Sequence, residues 1–210
     1  DFAPVASVGQ SPSVLVVHPA LPVKMVKDLI ALARARPGQI NYSSSGIATT
    51  NHLAAELFRL KARIDIVHVP YKGMAPAITD LISGQVQMLI TSFPSVGAQL
   101  QAGRVRAIAT TSLTRSSFAP ELPTVDESGL PGYDVTSRWG FFAPATTPKV
   151  IVDRLNAEIR KLLLTADMKE RLLKGGAEPF VTTPDEFRKL FLSEVEKWIA
   201  LVRHAKIKLE

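Results

Sequence analysis

The chain has 210 residues, 46% of them hydrophobic and 21% charged, the balance of a globular protein with room for one large domain or two small lobes. The net charge of +6 is carried by Lys and Arg strung along predicted helices (Lys24, Lys27, Arg34, Arg36, Arg154, Arg160, Lys161, Lys169, Arg171) rather than gathered among aromatics, so no nucleic-acid partner is expected. The absence of cysteine excludes disulfides and thiolate metal sites, and no apolar run approaches the roughly 20 residues that cross a bilayer.

Residues 2–8 read as a strand with Pro4 near its start. Residues 14–17 (Val-Leu-Val-Val) read as a second strand, buried on both faces. A helix over 23–36 follows, stopped by Pro37-Gly38. A short strand ending at Tyr42 leads into Ser43-Ser44-Ser45-Gly46, a loop too polar for a core. The next helix is capped by Thr49 or Thr50 and buries Leu53, Ala54, Leu57 and Phe58. A strand over 64–69, the turn Tyr71-Lys72-Gly73, a helix over 74–83, a strand over 86–91, a helix over 94–102 and a strand over 105–110 complete a βα alternation. Such a pattern predicts an α/β fold with a mostly parallel sheet and helices on both faces. Ligands of such sheets sit beyond the carboxyl ends of the strands, so loops 43–50, 70–73 and 91–95 are expected to converge.

The composition shifts after Ser112. Residues 116–132 form a loop rich in Pro and Gly. A strand lies within 133–143. Thr147-Pro148 predicts a helix start, with Ile151, Leu155, Ile159, Leu162 and Leu163 facing inward. A helix over 168–174 ends at Gly175-Gly176. Thr183-Pro184-Asp185-Glu186 is a capping box, opening a helix striped by Phe187, Leu190, Phe191, Val195, Trp198 and Val202.

The stretch 41–58 carries the sharpest chemistry. A strand, a hydroxyl-rich loop and a helix start aim N–H groups, hydroxyls and the positive end of a helix dipole at one spot, for which a carboxylate is the natural occupant. An ordinary βα loop built of turn formers is the alternative. The serines could hide a nucleophile with His52 or His68 as base, but no acidic orienter is evident. No histidine has a metal-ligand neighbour at helical spacing, and no Walker loop or dinucleotide fingerprint is present. The chain is therefore expected to be no enzyme and to need no cofactor.

The residues resemble a known family. The pieces are Asp1-Phe2-Ala3-Pro4-Val5, Asn41-Tyr42-Ser43-Ser44-Ser45-Gly46 with Asn51-His52-Leu53-Ala54-Ala55-Glu56-Leu57-Phe58, and Val69-Pro70-Tyr71-Lys72-Gly73. They continue with Gly84-Gln85-Val86, Leu122-Pro123-Thr124-Val125, Trp139-Gly140 and Glu194 with Trp198. Their order is similar to that of the Bug-type (tripartite tricarboxylate transporter, TctC-like) extracytoplasmic solute-binding proteins.

This resemblance implies a type II periplasmic-binding-protein-like fold of two α/β lobes with mostly parallel sheets, and a carboxylate ligand. Residues 1–13 would be a crossover strand, 14–112 the complete second lobe, 113–132 a crossover and 133–210 the C-terminal part of the first lobe. Members usually open with a strand and a ligand-holding loop that Asp1 does not follow here, so the first lobe is expected to be incomplete. Many members also carry an aspartate at the position of Thr91, where an amino-acid ligand would need a carboxylate; Thr91-Ser92 supply only hydroxyls here, which favours a carboxylate without an amine. By the resemblance, Ser44, Ser45, Gly46, Thr49 and Thr50 hold the carboxylate. Tyr71, Lys72 and Gly73 form a facing wall, and Thr91 and Ser92 add hydroxyls. Lys72 has the alternative of a solvated turn lysine, and His52 that of a brace for the loop. The expected partners are a small organic carboxylate and membrane transporter subunits, in the periplasm, with a homodimer possible through the incomplete lobe. A signalling or scaffold module of the same fold that binds a partner protein is the alternative.

Overall fold

The computed structural model describes residues 1–117 and 119–207; expectations touching Phe118 in the proline-rich loop and 208–210 at the chain end lie outside the described residues. The described residues divide into two compact units, 1–11 with 136–200 (unit 1) and 12–135 with 201–207 (unit 2). Residues 113–135, expected as a crossover and the start of the first lobe, group with unit 2. Their apolar side chains show why: Val125 and Tyr133 are fully buried, and the Tyr133 hydroxyl donates to the Ala54 carbonyl at 3.0 Å.

Strand β1 (Phe2–Val17) is one strand of 16 residues, not the two expected. Gly9, Gln10 and Ser11 look like turn formers, but a ladder pairing Gly9 with Pro179 and Gln10 with Glu178 keeps them extended. Tertiary pairing overrides local turn preference here.

In unit 2, α1 (Val26–Ala35), β2 (Asn41–Ser44), α2 (Thr50–Ala62), β3 (Val67–Pro70), α3 (Met74–Ser83), β4 (Met88–Ser92), α4 (Phe93–Gln101) and β5 (Arg106–Thr110) follow in order. The strand order is β3-β2-β4-β1-β5. β2 runs parallel to β3 and β4, while β1 is antiparallel to both β4 and β5. Strands β2 to β5 therefore point one way and β1 alone runs against them. Val14, Val16, Leu81, Val86, Leu89, Val96 and Val105 form one core cluster on this sheet.

Two local expectations change. The strand at Asn41 continues through Ser43 and Ser44, both fully buried, because a ladder to β3 satisfies their backbone. On α2 the buried positions are His52, Ala54, Ala55, Glu56, Phe58 and Ala62, with Leu53 and Leu57 only half-buried. Small residues let this helix approach closely, and its inward polar groups are paired, as buried polar groups must be.

Unit 1 holds the first part of β1 with β6 (Thr136–Pro144), α5 (Lys149–Leu163), α6 (Ala166–Lys174), β7 (Glu178–Pro179) and most of α7 (Pro184–His204). Thr183 and Glu186 make the expected reciprocal cap: the Glu186 N–H donates to Thr183 Oγ1 at 3.2 Å and the Thr183 N–H to Glu186 Oε2 at 2.8 Å. Among the described residues Thr147 makes no side-chain cap; Pro148 is the N-cap of α5. Of the five residues expected inward on α5, Leu163 is buried and Ile159 half-buried. Ile151, Leu155 and Leu162 are exposed, and Val152 and Asn156 are buried instead. The Asn156 amide donates to the carbonyls of Val5 and Thr182 at 2.8 and 2.9 Å, which is how a polar residue holds an interior place. Gly140 has no room for a side chain, since a Cβ there would run into the Phe187 ring and the Ala6 carbonyl.

Candidate functional site at the strand ends

Because β2, β3 and β4 are parallel, their carboxyl ends at Ser44, Pro70 and Ser92 share one edge of the sheet. The loops that leave this edge are tied together. The Tyr71 N–H donates to the Ser44 carbonyl at 3.0 Å and the Gly73 N–H to the Ser45 carbonyl at 3.2 Å. Asn51, in the first turn of α2, accepts from Ser45 Oγ at 2.9 Å and donates to the Ile90 carbonyl of β4 at 2.8 Å. Thr91 Oγ1 lies 3.5 Å from Met74 Sδ at the start of α3. The three loops converge as expected, and α2, α3 and α4 each begin beside this edge.

Apart from that of Thr50, the hydroxyls expected to grip an anion are otherwise employed. Ser44 Oγ donates to the Gly46 carbonyl at 3.0 Å, accepts from the Gly46 N–H at 3.2 Å and lies 2.6 Å from His68 Nε2. Thr49 Oγ1 donates to the Gly46 carbonyl at 2.7 Å, so it does not cap α2 with its side chain. Ser92 Oγ pairs with Ser95 Oγ at 2.8 Å. The Tyr71 hydroxyl donates to Asp80 Oδ2 at 2.6 Å, and burial together with that carboxylate pushes its pKa up to about 12. A hydroxyl has one proton to donate, and those of Ser45, Thr49 and Tyr71 are already committed. What stays open is the main chain: the N–H groups of Thr50, Asn51 and His52 in the first turn of α2 find no acceptor among the described residues. These are the orphan donors of a helix N-terminus. Thr50 and Lys72 are exposed, and Lys72 makes no ion pair among the described residues.

Gly46, at φ 143, and Ala48, at φ 59, shape the turn that presents this helix start. Beneath it lies an aromatic group the sequence did not signal as a unit. His68 pairs in register with Tyr42 across the β2–β3 ladder, and the two rings stack at 4.9 Å. His52 stacks on His68 at 3.9 Å with 7° between the planes, and its Nδ1 accepts the Ala48 N–H at 3.0 Å. That bond is the contact the bracing alternative calls for. Glu56 accepts from the Tyr42 hydroxyl at 2.6 Å and is forked by Arg59 at 2.7 to 3.1 Å. Burial alone would raise the Glu56 pKa, but the Arg59 and Tyr42 hydrogen bonds hold it below the usual carboxylate range. Burial lowers both histidines, His68 to about 4 with the neighbouring His52 adding to the effect. The register pairing of position 42 with 68, plus helical spacing from 52 to 56 and 59, was the available signal for this group.

Ser44 and His68 stand in hydrogen-bond reach, but Ser44 is fully buried and its hydroxyl also bonds the carbonyl and the N–H of Gly46. Among the described residues no group of three His, Cys, Asp or Glu side chains could hold a metal ion. The arrangement offers donors to an anion, in the manner of helix N-termini that bind carboxylate or phosphate.

The profile of the tripartite tricarboxylate transporter family receptor (TctC) matches residues 1–207. A UPF0065 protein from the tcbD-tcbE intergenic region of Pseudomonas sp. (strain P51) is 41% identical over 203 residues, 96% of this chain and 60% of that protein. The structure titled R. palustris Rpa4515 with adipate superposes with a TM-score of 0.80 at 36% identity, over 99% of this chain and 69% of that one. MatC (Rpa3494) from Rhodopseudomonas palustris with bound malate gives 0.74 at 28% identity, over 96% and 69%. The chain thus spans 60% of the length of the Pseudomonas relative. With the ordered strand-end loops and a profile match over nearly every residue, the chain belongs to the TctC family of tripartite tricarboxylate transporter receptors.

Proposed function

We propose that the chain is a periplasmic solute-binding protein that captures a small organic carboxylate at the N-terminus of α2 and delivers it to membrane transporter subunits. The observation that carries this reading is the set of N–H groups of Thr50, Asn51 and His52, without acceptors among the described residues, at the point where three loops meet. Their orientation and the helix dipole favour a negative charge there. Membership of the TctC family supports it, as do the adipate and malate named with two structural relatives. In this reading Ser44, Ser45, Gly46 and Thr49 shape the turn, while the Thr50 hydroxyl and the α2 N–H groups contact the carboxylate. Tyr71, Lys72 and Gly73 form the facing wall, with the Lys72 ammonium as its positive charge. Thr91 is buried against Met74 Sδ and Ser92 pairs with Ser95, so this strand end brings no carboxylate, which suits a ligand without an amine.

A thermal-shift series tests this directly. Ligand that binds the folded state alone stabilises it by RT ln(1 + [L]/Kd). Adipate- or malate-class acids are expected to raise Tm progressively with concentration, while diamines of equal length leave it unchanged. No shift with any mono- or dicarboxylate at millimolar concentration overturns the reading. The bound acid is expected to be recovered unchanged, and turnover abolished by Ser44→Ala would replace binding with catalysis.

A further inference from the structure

His52 is placed to do more than fill space beneath the loop. Its Nδ1 accepts the Ala48 N–H at 3.0 Å, so that nitrogen carries no proton. Ala48 sits at φ 59, a left-handed conformation disfavoured for a residue with a Cβ, and this bond helps to hold it there. One residue further on, Thr49 closes the same turn through its N–H and hydroxyl, both on the Gly46 carbonyl at 3.4 and 2.7 Å. The turn leads straight into the first turn of α2, whose N–H groups are the open donors.

We propose that His52 is a positioning residue that holds the 46–49 turn in its anion-binding shape only while its Nδ1 is unprotonated, so that carboxylate binding falls off in acid. This rests on the reading of this edge as the carboxylate site. A proton on Nδ1 would set two donors against each other, N–H facing N–H, and Ala48 would lose the bond that holds its backbone. His68 closes the other face of the ring at 3.9 Å, so a charged His52 cannot swing towards β3 without displacing it. The titratable and charged groups facing the pair are Tyr42 on β2 and Glu56 and Arg59 on α2. Glu56 favours a proton on His52, but its charge is already shared by Arg59 and the Tyr42 hydroxyl. Burial opposes the proton, and the shift of both rings below the ordinary imidazole range agrees with that. Ser44, by contrast, tolerates either state of His68, because its oxygen can accept from Nε2 while its proton goes to Gly46.

His52→Asn is the informative variant, since its amide oxygen can accept the Ala48 N–H but gains no proton in this range. Adipate affinity is measured by calorimetry for both proteins at several pH values. The titration of the acid itself cancels in the ratio of the two Kd values. That ratio, wild type over variant, is expected to rise as pH falls, by about threefold or more between roughly pH 7.5 and roughly pH 4.5; a constant ratio overturns the proposal. Amide exchange of ligand-free wild type gives an independent reading. Protection at Ala48 is expected to disappear in step with the titration of the His52 ring, and protection that persists through that titration overturns the brace. If no carboxylate binds at neutral pH, the proposed function fails while the exchange experiment still decides the brace. The same experiment decides it if His52→Asn does not fold.

Discussion

The helices of unit 2 and unit 1 both carry apolar faces in sequence, yet these faces meet different fates. In unit 2, Leu29 and Ala33 of α1, Ala77 and Leu81 of α3 and Val96 of α4 are fully buried. In unit 1, Ile151, Leu155 and Leu162 of α5 and Phe191, Leu192 and Val195 of α7 remain 38–53% exposed, as do Trp139 and Phe141 of β6 at 50 and 56%. Periodicity identifies which face of a helix is apolar. Whether that face is covered depends on what packs against it, and a lone exposed stripe of this kind favours association.

The comparison breaks most visibly on deletion of one aromatic ring from each unit. Phe58→Ala in unit 2 removes a fully buried ring that meets Tyr133 edge-on at 6.2 Å and is expected to cost about 3–5 kcal/mol in urea unfolding. Phe141→Ala in unit 1 is expected to stay within about 0.5 kcal/mol. Equal losses would show that the exposed face is covered in solution.

Acid should act on unit 2 as well. The folded pKa of His68 is about 4 against 6.5 for the unperturbed ring. Between those values the unfolded chain binds more protons, so stability rises with pH there. The contribution is complete above about pH 6.5 and lost as pH falls towards 4, roughly 2 kcal/mol once screening of this partly exposed ring is included. His52, also lowered, acts in the same direction. His68→Phe should flatten the profile, and an unchanged acid limb in that variant would remove His68 as its source.

A smaller effect sharpens the picture of unit 1. Thr183→Ala removes the cap of α7 and is expected to cost about 1 kcal/mol, with Ser in place of Thr restoring most of it. A loss below about 0.3 kcal/mol would mean that this helix end is frayed.

The smallest stability change is expected at the exposed aromatics. Trp139→Ser with Phe141→Ser should alter folding free energy by less than about 1 kcal/mol. If the apolar face of unit 1 pairs two copies, the same double variant converts a sedimenting dimer into a monomer. Wild-type chain that sediments as a monomer at micromolar concentration removes the homodimer from consideration.

Much was legible in the residues alone. The βα alternation, the helix over 74–83, the Thr183–Glu186 box and the convergence of three loops followed from periodicity, capping chemistry and the direction rule for parallel strands. These are local rules or consequences of chain direction, and neighbours in sequence suffice to state them. The two short strands that became β1 were misread because Gly, Gln and Ser lack strand preference, and only the partners at 178 and 179 reveal their ladder.

The site divides in the same way. The stretch 41–58 declared a polar turn entering a helix, since hydroxyls, Gly46 and the following apolar positions are adjacent along the chain. Which atoms in it remain open was decided by tertiary structure. The Ser45 and Thr49 hydroxyls found acceptors in the fold, leaving the exposed Thr50 hydroxyl and the N–H groups that helix geometry itself strands. His52 and His68 lie 16 positions apart in sequence and stack only because β3 pairs with β2 while α2 packs over that ladder. Sequence determines which groups a segment carries; long-range pairing and burial determine which of them are spent on the fold and which are left for a ligand.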